Sequence, residues 1–164
     1  MSTLISIVGE INYKRVREFV EQVQSASTDG HVEVSVCSHG GDESCGRAIA
    51  GMIKHMRSNG VIIDTSAYGD VHSAAIIIFA AGEQRFASHA ANFMLHESSI
   101  EAGDRNASGF KKLSKQMEVD EAFWCKLLEQ YTSTEAKVWA KLHEAETFLS
   151  PDEALKLNLA TKII

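Results

Sequence analysis

Long apolar runs, clustered basic residues and paired cysteines are all missing from this 164-residue chain. The longest apolar stretch, Ala74 to Ala81, falls far short of the roughly 20 residues of a membrane helix, so a soluble protein with no membrane partner is expected. Lysine and arginine are scattered and the formal net charge is −6, which argues against nucleic acid as a partner because such binding wants a basic face. Cys37, Cys45 and Cys125 make an odd count without metal-type Cys/His spacing, and nothing at the N-terminus reads as a cleaved secretion signal. A reducing cytoplasm, no metal or other cofactor, and cysteines used for packing are the simplest expectations. No repeat, low-complexity tract or linker interrupts the chain, and 45% hydrophobic content at this length suits one domain, residues 1–164, with a sizeable core.

What is present alternates between strand-like and helix-like segments, the pattern of a sheet covered by helices. Leu4 to Val8 reads as a strand, and Asn12 can cap a helix to about Ala26 with Val16, Phe19, Val20 and Val23 on one face. Thr28-Asp29-Gly30 ends it. Val32, Val34 and Val36 alternate with polar residues in a second strand, after which Gly40-Gly41 turns into a helix with Ile49, Met52, Ile53 and Met56 inward. Ser58-Asn59-Gly60 breaks that helix. Val61 to Thr65 is a third strand, Ser73 to Ala81 a short buried helix, and Gln84 to Ala87 and Phe93 to Leu95 are two further strands. Ala107 to Tyr131 reads as one long charged helix, nearly 40 Å at about 1.5 Å per residue, more than so small a domain can cover. Part of it should project and seek a partner. A helix over Thr134 to His143 comes next, and the last begins at Ser150-Pro151-Asp152-Glu153, where Ser caps, Pro takes the first helical position and Glu completes a capping box.

Chemistry concentrates in two short stretches, Gly69-Asp70-Val71-His72-Ser73-Ala74-Ala75 and Asn92-Phe93-Met94-Leu95-His96. A serine where a loop gives way to a buried helix has a hydroxyl pinned by packing, and neighbouring amides sit at the positive end of the helix dipole. An imidazole after the next strand, His96, can take the proton of Ser73, and a carboxylate near Glu146 can orient that imidazole. The chain reads as a serine hydrolase. His72 is adjacent to the serine and points elsewhere, and His39 reads as a solvated loop residue.

Several of these stretches together resemble the proteolytic subunit of the Clp protease, the ClpP family of self-compartmentalising serine peptidases (peptidase family S14). The resemblance runs from Ile7-Val8-Gly9-Glu10-Ile11 to Ile163-Ile164. Val36-Cys37-Ser38-His39-Gly40-Gly41 resembles a family strand ending in Ser-Pro-Gly-Gly, and Ser73 falls on the family's nucleophile, followed at the same interval by Ala80-Ala81-Gly82. Asn92 to His96 matches the segment ending in the catalytic histidine, and Glu146-Thr147-Phe148-Leu149-Ser150 the segment opening with the catalytic acid. The implied fold is an α/β ClpP/crotonase-like spiral of β-β-α units with a protruding handle over about residues 97–131. The implied mechanism uses Ser73, His96 and Glu146 as triad, with the backbone N–H groups of Gly41 and Ala74 as oxyanion hole. Substrate would be peptide or unfolded protein, added as a strand near Gly41 and the Asn106 region. Asp104-Arg105-Asn106-Ala107-Ser108 resembles the turn into the handle, and the implied assembly is a homo-oligomer of sevenfold rings, stacked in pairs, served by a Clp-type AAA+ unfoldase.

Departures from the family pattern sharpen these expectations. Glu146 stands where the family has Asp, Ser73-Ala74-Ala75 replaces Ser-Met-Gly, and Glu97-Ser98 after the histidine puts a negative charge near the cleft. The first strand begins almost at once, a short form without most of the family's axial-loop segment, so gating and unfoldase docking are expected to be altered. Two other functions fit parts of this pattern: a weakly active or non-catalytic subunit modulating another, host ClpP ring, and a crotonase-like acyl-CoA enzyme. The Ser73/His96 pair argues against the latter, because enolate chemistry needs no serine nucleophile.

Overall fold

The computed structural model describes residues 3–25, 30–99 and 103–164. The expected helix stop at Thr28-Asp29 lies outside the described residues. Strand β1 (Thr3–Val8), helix α1 (Tyr13–Ser25), β2 (His31–Ser38), α2 (Glu43–Ser58) and β3 (Ile62–His72) follow in order. Then come α3 (Ala74–Ala80), β4 (Arg85–Ala87), β5 (Asn92–Leu95), α4 (Ala107–Thr132), α5 (Ala136–Glu144), β6 (Thr147–Leu149), α6 (Pro151–Lys156) and β7 (Lys162–Ile163). The fold is mixed α/β.

Local chemistry explains most boundaries. Asn12 Oδ1 accepts from Arg15 N–H at 3.1 Å and opens α1, Asp42 accepts from Ser44 and Cys45 N–H and opens α2, and Ser150 and Glu153 form the expected reciprocal box at α6. Val32, Val34 and Val36 alternate into the core along β2, while the opposite face leaves Cys37 exposed, a correction to the packing role expected for it. Helix α5 starts at Ala136 instead of Thr134, whose hydroxyl donates to Leu157 O at 2.6 Å.

The described strands form one sheet ordered β1-β2-β3-β4-β7, with β5 paired to both β3 and β6. All pairs are parallel except β5 with β6. The expected third strand is twice as long as its apolar stretch, because β3 runs on through Gly69 and Asp70 to His72. Its first part pairs with β4 (Thr65↔Arg85 to Ala67↔Ala87) and its last part with β5 (Asp70↔Asn92 to His72↔Met94). The segment before Ser73 is therefore strand, not loop: backbone pairing with β5 outweighs the turn preference of Gly69-Asp70. Strands β6 and β7 are additional to the expected set.

All seven residues of α3 are buried, and Phe79 packs on Phe93 of β5 with ring centroids 5.2 Å apart. This contact joins the helix after Ser73 to the strand before His96. Phe93→Ala is expected to cost about 3–5 kcal/mol of stability in denaturant unfolding. A loss below about 1 kcal/mol would show that the contact does not anchor β5.

Candidate active site

Ser73 occupies the single residue between β3 and α3, with φ 52° and ψ −125°, outside the regions open to most L-residues. Such a conformation costs about 1–3 kcal/mol and survives only where its surroundings dictate it. Here its N–H donates to Met94 O at 2.8 Å, its carbonyl accepts from Ile76 N–H at 3.0 Å, and buried α3 fixes the chain on its C-terminal side. The hydroxyl makes no capping bond to the helix.

One glycine makes room for this serine and a second for the neighbouring backbone. A Cβ at Gly40 (φ +98°) would lie 2.7 Å from Ser73 Cβ, and one at Gly41 (φ +142°) 2.3 Å from Ile11 O. Gly41 is bridged to Ile11 in parallel fashion through Ile11 N–H to Gly40 O (2.8 Å) and Asp42 N–H to Ile11 O (2.7 Å). Strand alternation then turns Gly41's own N–H away from Ile11. Ala74, as the first helical residue, has an N–H with no acceptor inside α3.

Gly41, Ser73, Ala74 and His96 line one cavity of about 380 Å³. Four of the five residues singled out in the sequence are thus brought together. Among the described residues, however, no hydrogen bond joins the Ser73 hydroxyl to His96. The fifth residue, Glu146, is exposed, has φ +49°, and does not line this cavity. Antiparallel pairing of Leu95 with Thr147, carried one step further, sets Glu146 opposite His96, yet among the described residues neither ion pair nor hydrogen bond links them. His72 lies outside the cavity, edge-on to His39 (5.1 Å) and Phe148 (6.0 Å), and burial lowers its pKa. His39 is largely exposed, as expected of a loop residue, 3.6 Å from Asp70.

The far wall was not foreseen. Glu121 and Trp124 of α4 and His143 of α5 also line the cavity, the two rings packed at 4.1 Å. The His143 Nδ1 lies 3.1 Å from Glu121 Oε1 but without hydrogen-bonding alignment, and among the described residues both buried ring nitrogens have no hydrogen-bond partner. Burial holds His143 down to about 4, a neutral ring, with His96 acting in the same direction. Burial, then neighbouring Glu97 and Glu43, push Glu121 upward. Only the charge of the helix was legible in sequence; which turn faces the serine is set by tertiary packing.

A mixed α/β sheet with a strained serine, a histidine and free backbone donors in one cavity defines a class, and comparison with known proteins gives the family. The Clp protease family model matches residues 1–164. The chain belongs to the Clp protease family. It is 29% identical to ATP-dependent Clp protease proteolytic subunit 2 of Treponema denticola, over 97% of this chain and 80% of that protein. A solved structure of a point mutant of ClpP1 from Listeria monocytogenes superposes with TM-score 0.84 at 24% identity, covering 99% of this chain and 91% of that one. That likeness concerns the fold.

The buried histidine predicts a pH dependence. A histidine held at about 4 instead of 6.5 stabilises the fold fully above pH 6.5 and loses that contribution as pH falls toward 4, since the unfolded chain binds the proton first. Between pH 7 and pH 5 the protein is expected to lose about 2 kcal/mol more stability than His143→Phe. Parallel pH profiles of unfolding free energy for the two proteins would contradict the neutral, buried ring.

Proposed function

We propose that the chain is a serine endopeptidase core of Clp type, a single peptidase domain cleaving peptides and unfolded proteins by a Ser-His-acid mechanism. The observation that carries this reading is the convergence of Ser73, His96 and the Gly41 and Ala74 backbone on one cavity. Ser73 Oγ attacks the scissile carbonyl while His96 takes its proton and later delivers it to the leaving amine. The Gly41 and Ala74 N–H groups receive the oxyanion, each donor worth about 100- to 1000-fold in rate. Glu146 orients His96; their adjacency in the extended β5–β6 register supports the role, and a rotation of the exposed carboxylate is needed to reach the ring.

Helix α4 supports the assembly part of the proposal. Its buried residues, Trp124, Cys125, Leu128 and Thr132, all lie in its C-terminal half, while Phe110 and Val119 are exposed. A charged handle that carries exposed apolar side chains in this way fits sevenfold rings, stacked in pairs, in the cytoplasm, fed by a Clp-type AAA+ unfoldase. Among the described residues no helix is long and apolar enough to cross a membrane. A modulatory subunit of another ClpP ring is the second reading, favoured by the unlinked Glu146 and the unbonded Ser73 hydroxyl.

Ser73→Ala is expected to abolish fluorophosphonate labelling and lower kcat/KM on a fluorogenic peptide by about 10⁵-fold or more. Labelling that persists in the variant, or is absent from both proteins, overturns the working site. Glu146→Ala is expected to lower turnover about 100-fold or more with labelling slowed; wild-type turnover would remove Glu146 from the mechanism. Sedimentation at micromolar concentration is expected to show a heptamer or larger, and a monomer would refute the ring.

A further inference from the structure

We infer that the cavity beside Ser73 is a subsite for a cationic side chain, so that the residue contributing the scissile carbonyl is preferentially arginine, then lysine. The inference rests on the peptidase reading above and adds the substrate class. Gly41 and Ala74, whose N–H groups would hold the scissile carbonyl oxygen, line this cavity together with Ser73, which would place the side chain nearest that carbonyl in it.

Charge in the cavity is unbalanced. Asp42, Glu43, Asp120 and Glu121 line it against one arginine, Arg47, which is already engaged with Glu43 Oε1 at 3.0 Å and set over the Phe123 ring. Asp42 is occupied in capping α2, and Glu43 also accepts from Ser98 Oγ at 3.0 Å. Among the described residues, Asp120 and Glu121, consecutive on α4, therefore have no lysine or arginine partner: Asp120 accepts from a neutral amide, Gln116 Nε2 at 3.0 Å, and Glu121 faces the neutral His143. Burial pushes Glu43 upward even with Arg47 beside it, and burial followed by neighbouring Glu97 and Glu43 pushes Glu121 upward.

An independent observation points the same way. His143 is only 6% exposed, lines the cavity, and among the described residues has two ring nitrogens without a hydrogen-bond partner. One nitrogen of a neutral imidazole is an acceptor. A guanidinium, five donors and no acceptor, can satisfy that nitrogen and both carboxylates together, while Trp124 of the same wall supplies an aromatic surface for the planar cation. An apolar side chain would leave all three unpaired, and an acidic one would be repelled. The volume, about 380 Å³, lies within the range of roughly 300–1,000 Å³ typical of ligand pockets.

The test is a series of Ala-Ala-X coumarin amides with X as Arg, Lys, Leu or Glu, run beside fluorophosphonate labelling. At least tenfold higher kcat/KM for Arg than for Leu is expected, with that ratio falling about tenfold in Glu121→Gln and, separately, in Asp120→Asn. Labelled protein that cleaves the Leu peptide as well as or better than the Arg peptide overturns the subsite and leaves the peptidase reading standing. If no peptide is cleaved, calorimetric binding of Ala-Ala-Arg-amide and Ala-Ala-Leu-amide decides. At least tenfold tighter binding of the arginyl peptide, lost in Glu121→Gln, sustains the subsite on a catalytically silent subunit; equal or absent binding refutes it.

Discussion

The hydrogen bond from Ser73 N–H to Met94 O, 2.8 Å long, is the link on which the site depends. It continues the parallel ladder Asp70↔Asn92, Val71↔Phe93, His72↔Met94, so β3 and β5 end side by side and at the same end of the sheet. Neighbouring strands lie about 4.8 Å apart. A residue just beyond one and a residue two beyond Met94 must therefore emerge close together, at the carboxyl ends of parallel strands where α/β folds generally hold their ligands. A slip of one residue would turn each side chain to the opposite face and separate serine from histidine. Burial of α3 and the Phe79–Phe93 contact oppose that slip.

Close backbone approach is the second requirement, and it falls on two glycines for different reasons. Gly40 yields the volume that Ser73 Cβ fills, whereas Gly41 lets the chain run against Ile11 with its own N–H turned outward. Strain in other residues is distributed unequally. Of the four non-glycine residues with positive φ among those described, Ser133 caps the end of α4, and Asn158 follows α6 with its side chain donating to Thr132 O. The other two, Ser73 and Glu146, stand at the ends of the strands that bracket His96. Local preference is overridden where the candidate chemistry lies.

Legibility in the sequence tracked the range of the forces involved. The alternation of Val32, Val34 and Val36, the caps at Asn12 and Ser150 and the length of α4 are local, and each was readable from a few neighbouring residues. The continuation of β3 through Gly69-Asp70 was not, because its cause is a pairing with Asn92, 22 residues away. Strands of three and two residues, β6 and β7, are too short to carry a period. Ser73 and His96 could be picked out because the serine opens an apolar run and the histidine ends one, whereas Glu121 and His143 sit among charged helical residues whose facing is decided by how α4 and α5 pack.

Helix α4 joins the two halves of the functional argument. From Ala107 to Val119 it has no buried residue, and its first buried side chain is Trp124, so Asp120 and Glu121 occupy the turn where the helix meets the body. A cover over Phe110 and Val119, as a second ring would supply, acts on a lever whose fulcrum is the cavity wall. Rotation of that turn by one residue, about 100° at 3.6 residues per turn, would swing Glu121 out of the cavity and away from His143 Nδ1, now 3.1 Å from it. The carboxylates proposed to select substrate and the exposed apolar residues proposed to meet a second ring thus lie on one helix, so a partner that held the second would bear on the position of the first.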